Sequence, residues 1–283
     1  MNRTDLQRLS INRATTKHRP LRELVPACAE RGIGGIGLWR EDIAELGADT
    51  AMQVVRDAGL AVTSLCRGGF FTASDPAERR RRRDDNMRAV DEAVAVGTDV
   101  LVLVSGGLPD GDIDLVGARA SVAEAIADLA PYAADRGVRL AIEPLHPMYC
   151  SDRCVVSTLD QALDIAEAHP AASVGVIVDA YHVWWDPRLP DAIARAGERI
   201  AAFQVSDWVT PLPAGVLTGR GMMGDGCIPL QAMRQAVENA GYTGPIEVEI
   251  FDEALWRLPS SEVLDLVVQR YLAHVAAGQE MTA

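Results

Sequence analysis

Residues 134–143 read ADRGVRLAIE, and the order of those ten residues decides the fold. A helix-compatible stretch stops at Gly137, a residue type that tolerates the positive φ of a helix C-terminus, and an apolar run, Arg139 to Glu143, follows at once. The same joint recurs as RDAGLAV at 56–62, AVGTDVLV at 95–102 and NAGYTGPIEV at 239–248. Helix end, glycine, next strand, repeated along a chain, is the pattern of β/α units that share a parallel sheet.

Outward from that joint the chain divides into eight expected strands: Leu9 to Thr15, Gly34 to Trp39, Ala61 to Leu65, Val100 to Val104, Arg139 to Glu143, Val174 to Asp179, Ile200 to Val205 and Ile246 to Ile250. Helices are expected near Leu21 to Arg31, Thr50 to Ala58, Ala77 to Val96, Asp114 to Arg136, Leu159 to Ala168, Leu189 to Ala196, Leu230 to Ala240 and Ser261 to Ala276. Eight of each predicts an α/β chain folded as a single (β/α)8 TIM barrel over residues 1–283, with the last few residues a frayed tail. No low-complexity tract or linker composition interrupts it. An open doubly wound sheet would place a glycine-rich phosphate turn after its first strand. Here Gly32, Gly34, Gly35 and Gly37 lie before and inside the second strand and open no helix, so a dinucleotide site is not expected.

Composition narrows the function. With 40 acidic and 27 basic residues the formal charge is -13, which disfavours nucleic acid and anionic lipid as partners. The one basic block, Arg79 to Arg83 with Arg88, reads as a solvated helix face. Five scattered cysteines, Cys28, Cys66, Cys150, Cys154 and Cys227, form no disulfide framework and suit reduced thiols in a cytoplasmic protein. Cys150 and Cys154 lack a second pair to complete a zinc site. No signal peptide is read at the N-terminus, and no run of eighteen apolar residues exists for a membrane span.

Helix-to-strand joints are short, whereas strand-to-helix segments are long: Cys66 to Pro76, Ser105 to Ile113, Pro144 to Thr158, Ala180 to Arg188 and Ser206 to Pro229. Barrels carry their chemistry on that face. Glu143, Asp179, Gln204 and Glu249 fall at the ends of the fifth to eighth strands, one from each unit. Three carboxylates and an amide oxygen make an all-oxygen set, suited to one divalent metal, Mn²⁺ first, with Mg²⁺ or Co²⁺ as alternatives, and less suited to zinc. Glu247 points to the same face as Glu249 and is the competing ligand.

All five tryptophans, Trp39, Trp184, Trp185, Trp208 and Trp256, fall at or just after strand C-terminal ends. Indole faces pack on sugar C–H faces, so Trp39, Trp184 and Trp208 are candidate substrate contacts; hydrophobic cover of the barrel mouth explains any one of them equally well.

The pieces AIEPLHP, VDAYHVWWD, FQVSDW, RGMMGDGCI and GPIEVEIF, in that order and spacing, resemble the sugar isomerase and epimerase superfamily of xylose-isomerase-like barrels, which includes ketose 3-epimerases and hydroxypyruvate isomerases. The likeness is strongest from Leu140 to Asp252. It implies a metal on Glu143, Asp179, Gln204 and Glu249, with Gln204 where many members have histidine. It implies substrate contacts from His182 and Arg220 as well. His146 stands where ketose epimerases often have asparagine. The implied chemistry is removal of a proton next to a carbonyl through an enediolate, with Glu143 and Glu249 as acid and base and with His182 and His146 polarising or protonating substrate oxygens. His18 is a weaker candidate, and His169 and His274 read as structural.

The expected partner is a small sugar or sugar-derived molecule, with a homo-oligomer or a partner subunit left open. Arg220 is the only basic residue in the long seventh loop, which favours an unphosphorylated sugar, keto-sugar or glycoside-derived substrate. Two rival readings share the residues. A lyase or dehydratase, like inosose dehydratases or C-glycoside-cleaving subunits, would expel a leaving group from the same enediolate. A noncatalytic sugar-binding barrel would use the scaffold alone. A DNA-repair endonuclease of the same superfamily would need a multi-metal site richer in histidine than this acidic chain provides.

Overall fold

The protein is described by a computed structural model covering residues 3–213 and 215–276. Its strands in chain order are β1 (Leu9–Asn12), β2 (Gly35–Trp39), β3 (Ala61–Gly69), β4 (Val100–Val104), β5 (Arg139–Glu143), β6 (Val174–Asp179), β7 (Ile200–Val205), β8 (Asp207–Trp208), β9 (Arg220–Gly221) and β10 (Ile246–Val248). Eight of them close into a parallel barrel in the order β1-β10-β7-β6-β5-β4-β3-β2. The short β8 and β9 pair antiparallel with each other, outside the barrel, above the end of β7. The expected (β/α)8 barrel is therefore the observed fold. The frayed tail expected at the end of the chain lies outside the described residues.

Three strand ends differ by two residues or more from those read in the sequence. The first strand stops at Asn12 rather than Thr15, because the Asn12 side chain accepts the Ala14 N–H at 2.9 Å and starts a 3₁₀ turn, Arg13–Thr16. The last strand ends at Val248, although the Glu249 N–H still donates to the Val205 carbonyl at 3.2 Å. The third strand runs on to Gly69 instead of ending at Leu65. Its pairing with β4 slips between Leu65 and Gly68, where β3 spends three residues against two. Such a bulge bends a strand and re-aims its side chains. A short helix at Ala180–Val183, absent from the sequence reading, continues directly from β6.

The main core fills the space between strands and helices, with Leu9, Ile36, Leu65, Leu101, Ile142 and Val176 among its buried members. A smaller cluster of Cys66, Val100, Val102, Ala141, Ile177 and Ala202 fills the barrel itself. Strand side chains alternate between faces with a period of two. Glu143, Asp179 and Gln204 each stand two residues beyond an inward apolar residue, namely Ala141, Ile177 and Ala202. The same alternation that fills the barrel with apolar groups therefore crowns it with polar ones.

Candidate active site at the C-terminal mouth of the barrel

The polar crown has two levels. At the lower one the Glu247 carboxylate accepts from Asn12 Nδ2 (2.7 Å), the Thr63 hydroxyl (2.9 Å), the Ser64 hydroxyl (2.8 Å) and Gln204 Nε2 (3.0 Å). Four donors from β1, β3 and β7 saturate this buried carboxylate. Only glycine leaves room for it on β2, since a Cβ at Gly37 would lie 2.5 Å from Glu247 Oε2. Gln204 thus spends its amide on Glu247. Its Oε1 is buried with no hydrogen-bond partner among the described residues. Asn12 in turn accepts from the Trp39 indole at 2.7 Å, which fixes the ring at the cavity wall.

At the upper level Arg220 is the hub. Its Nη1 donates to Asp179 Oδ2 (3.1 Å) and to Glu249 Oε2 (2.9 Å), and its Nη2 lies 3.0 Å from His182 Nε2. Asp179 Oδ1 accepts the Tyr181 N–H at 2.8 Å, capping the short helix that carries His182. Ligand atoms of Glu143, Asp179 and His182, all buried, lie within 4.8 Å of one another, close enough to share a cation. The Glu143 carboxylate makes no hydrogen bond among the described residues.

Burial sets the electrostatics. Desolvation raises the Glu143 pKa well above the ordinary carboxylate value, helped by the Glu249 and Asp179 charges and opposed by Arg220. Desolvation also pushes Glu249 up to about 8 against the opposing pull of Arg220. Asp179 moves the same way, for the same first cause. His182 is held well below its usual value by burial and then by the Arg220 and His146 charges, so its ring is neutral. Its Nδ1 accepts the His146 backbone N–H at 3.2 Å, which places the proton on Nε2. With that tautomer Nε2 and Arg220 Nη2 are both donors. Their contact is not a hydrogen bond, and the Nε2–H is left to face Asp179 Oδ2 at 3.7 Å.

A cavity of about 160 Å³ is lined by Trp39, Cys66, Glu143, Tyr149, His182, Arg220 and Glu249, with the half-buried Arg67, Phe70, Arg153, Leu217 and Phe251 toward the rim; Asp179 and Gln204 are fully buried and do not line it. Wider clefts exist on the outside of the barrel, such as one of about 570 Å³ between the helices Pro76–Val96 and Leu115–Ala134, but no strand end reaches it. Not every residue singled out in the sequence meets at the cavity. The His146 side chain packs against Trp208 (4.9 Å between ring centres) and Trp185 (5.6 Å), and Trp184 packs on Trp208 at 5.4 Å. His146, Trp184 and Trp208 form an aromatic cluster beside the site and are not among the cavity-lining residues. Arg67, Phe70, Tyr149 and Arg153 were missed; a strand read as ending at Leu65 hides Arg67, and the loop residues carry no spacing signal.

The sequence from residue 25 to 267 matches the model of the xylose isomerase-like TIM barrels. The chain belongs to that family. Among solved structures it is similar to a protein of Sinorhizobium meliloti 1021, with 49% identity over 95% of this chain and 99% of that one and a TM-score of 0.92. It is also similar to an inosose isomerase of Bacillus velezensis, 29% identical over 51% of each chain. A 3-dehydroshikimate dehydratase of Pseudomonas aeruginosa is 28% identical over 85% of this chain but 37% of its own length. The matches thus span about half, or less, of these two curated relatives, whose names are those of enzymes.

Proposed function

We propose that this family member is a divalent-metal-dependent isomerase or epimerase of a small hydroxy-ketone, acting by proton abstraction next to the carbonyl. One observation carries the reading. Glu143, from β5, and Glu249, just past β10, face a single cavity from different sides of the barrel, and burial holds both carboxylates above their ordinary pKa. A carboxylate with a pKa near neutrality is the group that general acid–base catalysis needs.

The donor set fits a divalent cation. Glu143, Asp179 and Glu249 are buried acids, and Gln204 Oε1 is a buried carbonyl oxygen with no donor, which a cation would satisfy. His182, with its proton on Nε2, stands beside Glu143 and Asp179 as a donor and not as a ligand. Oxygen donors favour Mn²⁺, Mg²⁺ or Co²⁺. When bound, such an ion supplies charge stabilisation to an enediolate.

The chain's own residues do the rest. One of Glu143 and Glu249 removes the proton beside the carbonyl and the other returns one: to the opposite face for epimerisation, or to the neighbouring carbon for isomerisation. Arg220, beside Glu249, and the His182 Nε2–H, near Glu143 and Asp179, are donors placed to hold substrate oxygens as negative charge develops on them. Trp39 and Phe251 wall the cavity and exclude water from the reacting carbon.

Incubating the Mn²⁺-loaded protein with a panel of ketoses in D₂O tests this. Exchange at one C–H position is expected, falling by about 10²-fold or more in Glu143→Gln and in Glu249→Gln. No exchange with any ketose sinks the reading. The named relative that is a dehydratase, similar over 85% of this chain, supports one second reading, loss of a leaving group from the same enediolate. An unsaturated product without any epimer or isomer would establish that outcome instead.

A further inference from the structure

Two cations at the rim of the cavity have no task in that mechanism. Arg67 and Arg153 both line it and both are half-buried. Arg220, at the floor, is tied to two carboxylates, whereas neither rim arginine has a comparable partner among the described residues. The Arg67 guanidinium lies over the Phe70 ring at 4.1 Å and forms no hydrogen bond or ion pair among the described residues. Among the described residues Arg153 pairs only with its chain neighbour Asp152, at 3.5 Å, and that carboxylate is 61% exposed. An exposed pair of this kind contributes little.

A half-buried guanidinium without an acceptor is costly, and two facing one opening are costlier. Burial draws the Arg67 pKa down; Glu41 and Glu143 act on it through space without reaching it as ion pairs, and the Arg153 charge adds to the penalty. The bulge that separates Leu65 from Gly68 in the pairing of β3 with β4 spans Arg67 and places it at the wall. Arg153 arrives independently, from the long segment after β5. The cavity is therefore graded: carboxylates at the floor, where the carbonyl end of a substrate would react, and guanidinium groups at the rim that are unpaired (Arg67) or only weakly paired (Arg153). Arginine forks match the planar oxygens of a carboxylate or phosphate.

We infer that the substrate is an anion, a hydroxy-ketone whose carboxylate or phosphate lies at the end away from the carbonyl and is held by Arg67 and Arg153. The inference deepens the isomerase reading and rests on it for the position of the carbonyl. It also goes beyond the unphosphorylated substrate favoured by the sequence, which rests on the seventh loop and its single Arg220, whereas the rim cations come from the third and fifth β/α units.

Calorimetric titration of the Mn²⁺-loaded full chain with D-fructose, D-fructuronate and D-fructose 6-phosphate tests it. The three share a ketone at one end and differ at the other. At least one anion should bind tenfold or more tightly than D-fructose, and the stronger of the two identifies carboxylate or phosphate as the recognised group. The double variant Arg67→Gln, Arg153→Gln should lose that preference while binding D-fructose as before; the double lysine variant, which keeps the charge, should retain part of it. An unchanged melting temperature shows that the variants are folded. D-fructose binding as tightly as the better anion, none of the three binding, or a preference that survives the double glutamine variant overturns the inference. C–H exchange in D₂O separates the two claims. Arginine-dependent anion binding without exchange removes the isomerase reading alone, and exchange on all three ketoses with neither anion preferred over D-fructose removes the anion alone.

Discussion

His146 and His182 are both histidines in loops after barrel strands, and nothing in composition or spacing tells them apart. Their surroundings do. The His182 ring is buried among Glu143, Asp179 and Arg220, whereas the His146 ring is stacked in an aromatic cluster and serves His182 through its backbone N–H. Replacing His146 by Phe keeps a ring against Trp208 and leaves the backbone donor in place, so exchange activity should stay within about threefold of the parent. Replacing His182 by Phe removes the Nε2–H and should cost about 10²-fold or more. Side-by-side D₂O exchange rates check the pair, and equal losses would contradict the placement. The ligand-competent residues were legible because strand period and strand end are local properties. Which acid is already spoken for was not: Glu247 is saturated by Asn12, Thr63, Ser64 and Gln204, and those four meet it only once the barrel closes.

At the scale of elements, the segment between β7 and the helix Leu230–Asn239 decides where Arg220 sits. Asp207, at the start of β8, accepts the N–H groups of Trp208 (2.9 Å), Ile228 (3.0 Å) and Gly224 (2.9 Å), and so ties the GDG turn to the hairpin that delivers Arg220. A carboxylate holding three backbone donors cannot be removed without leaving the buried Ile228 N–H unpaired, a cost of about 1–3 kcal/mol, and handing the part-buried Trp208 and Gly224 N–H groups to water. Asp207→Ala should therefore speed amide hydrogen exchange across residues 207–228 and cut turnover about tenfold or more, with exchange in β4 and β5 unchanged. Asp207→Asn, which keeps one acceptor oxygen, should fall between. Uniform loosening of the whole barrel would contradict a local role. The sequence shows the long loop and the glycines of RGMMGDGCI but not this knot. A side chain accepting from residues 17 and 21 positions later leaves no periodic trace, and the bulge that carries Arg67 is equally silent in a run that reads as a plain strand.

For the whole molecule, closing the barrel confines Glu143, Asp179 and Glu249 at one buried mouth, and that confinement couples stability to pH and to the cation. Glu249 has a folded pKa of about 8 against an ordinary 4.5, and burial displaces Glu143 and Asp179 in the same direction. A carboxyl whose folded pKa is raised binds more protons folded than unfolded, so its stabilisation is fully present below pH 4.5 and is lost as pH rises through 8. His182 works oppositely, but only below its ordinary 6.5, because a ring kept neutral in the fold lets the unfolded chain gain the proton there. Between pH 6.5 and 8 the acids act alone. In that window the EDTA-treated protein should lose on the order of a few kcal/mol, seen as a melting temperature lower by about 5 °C at pH 8. Glu249→Gln should flatten the slope. Saturating Mn²⁺ should reverse it, because the ion binds the ionised carboxylates and those become more abundant as pH rises. Melting curves at pH 6.5 and 8, with EDTA and with MnCl₂, read all three effects, and a metal-free protein that melts higher at pH 8 would show that the acids at the mouth are not held in this way.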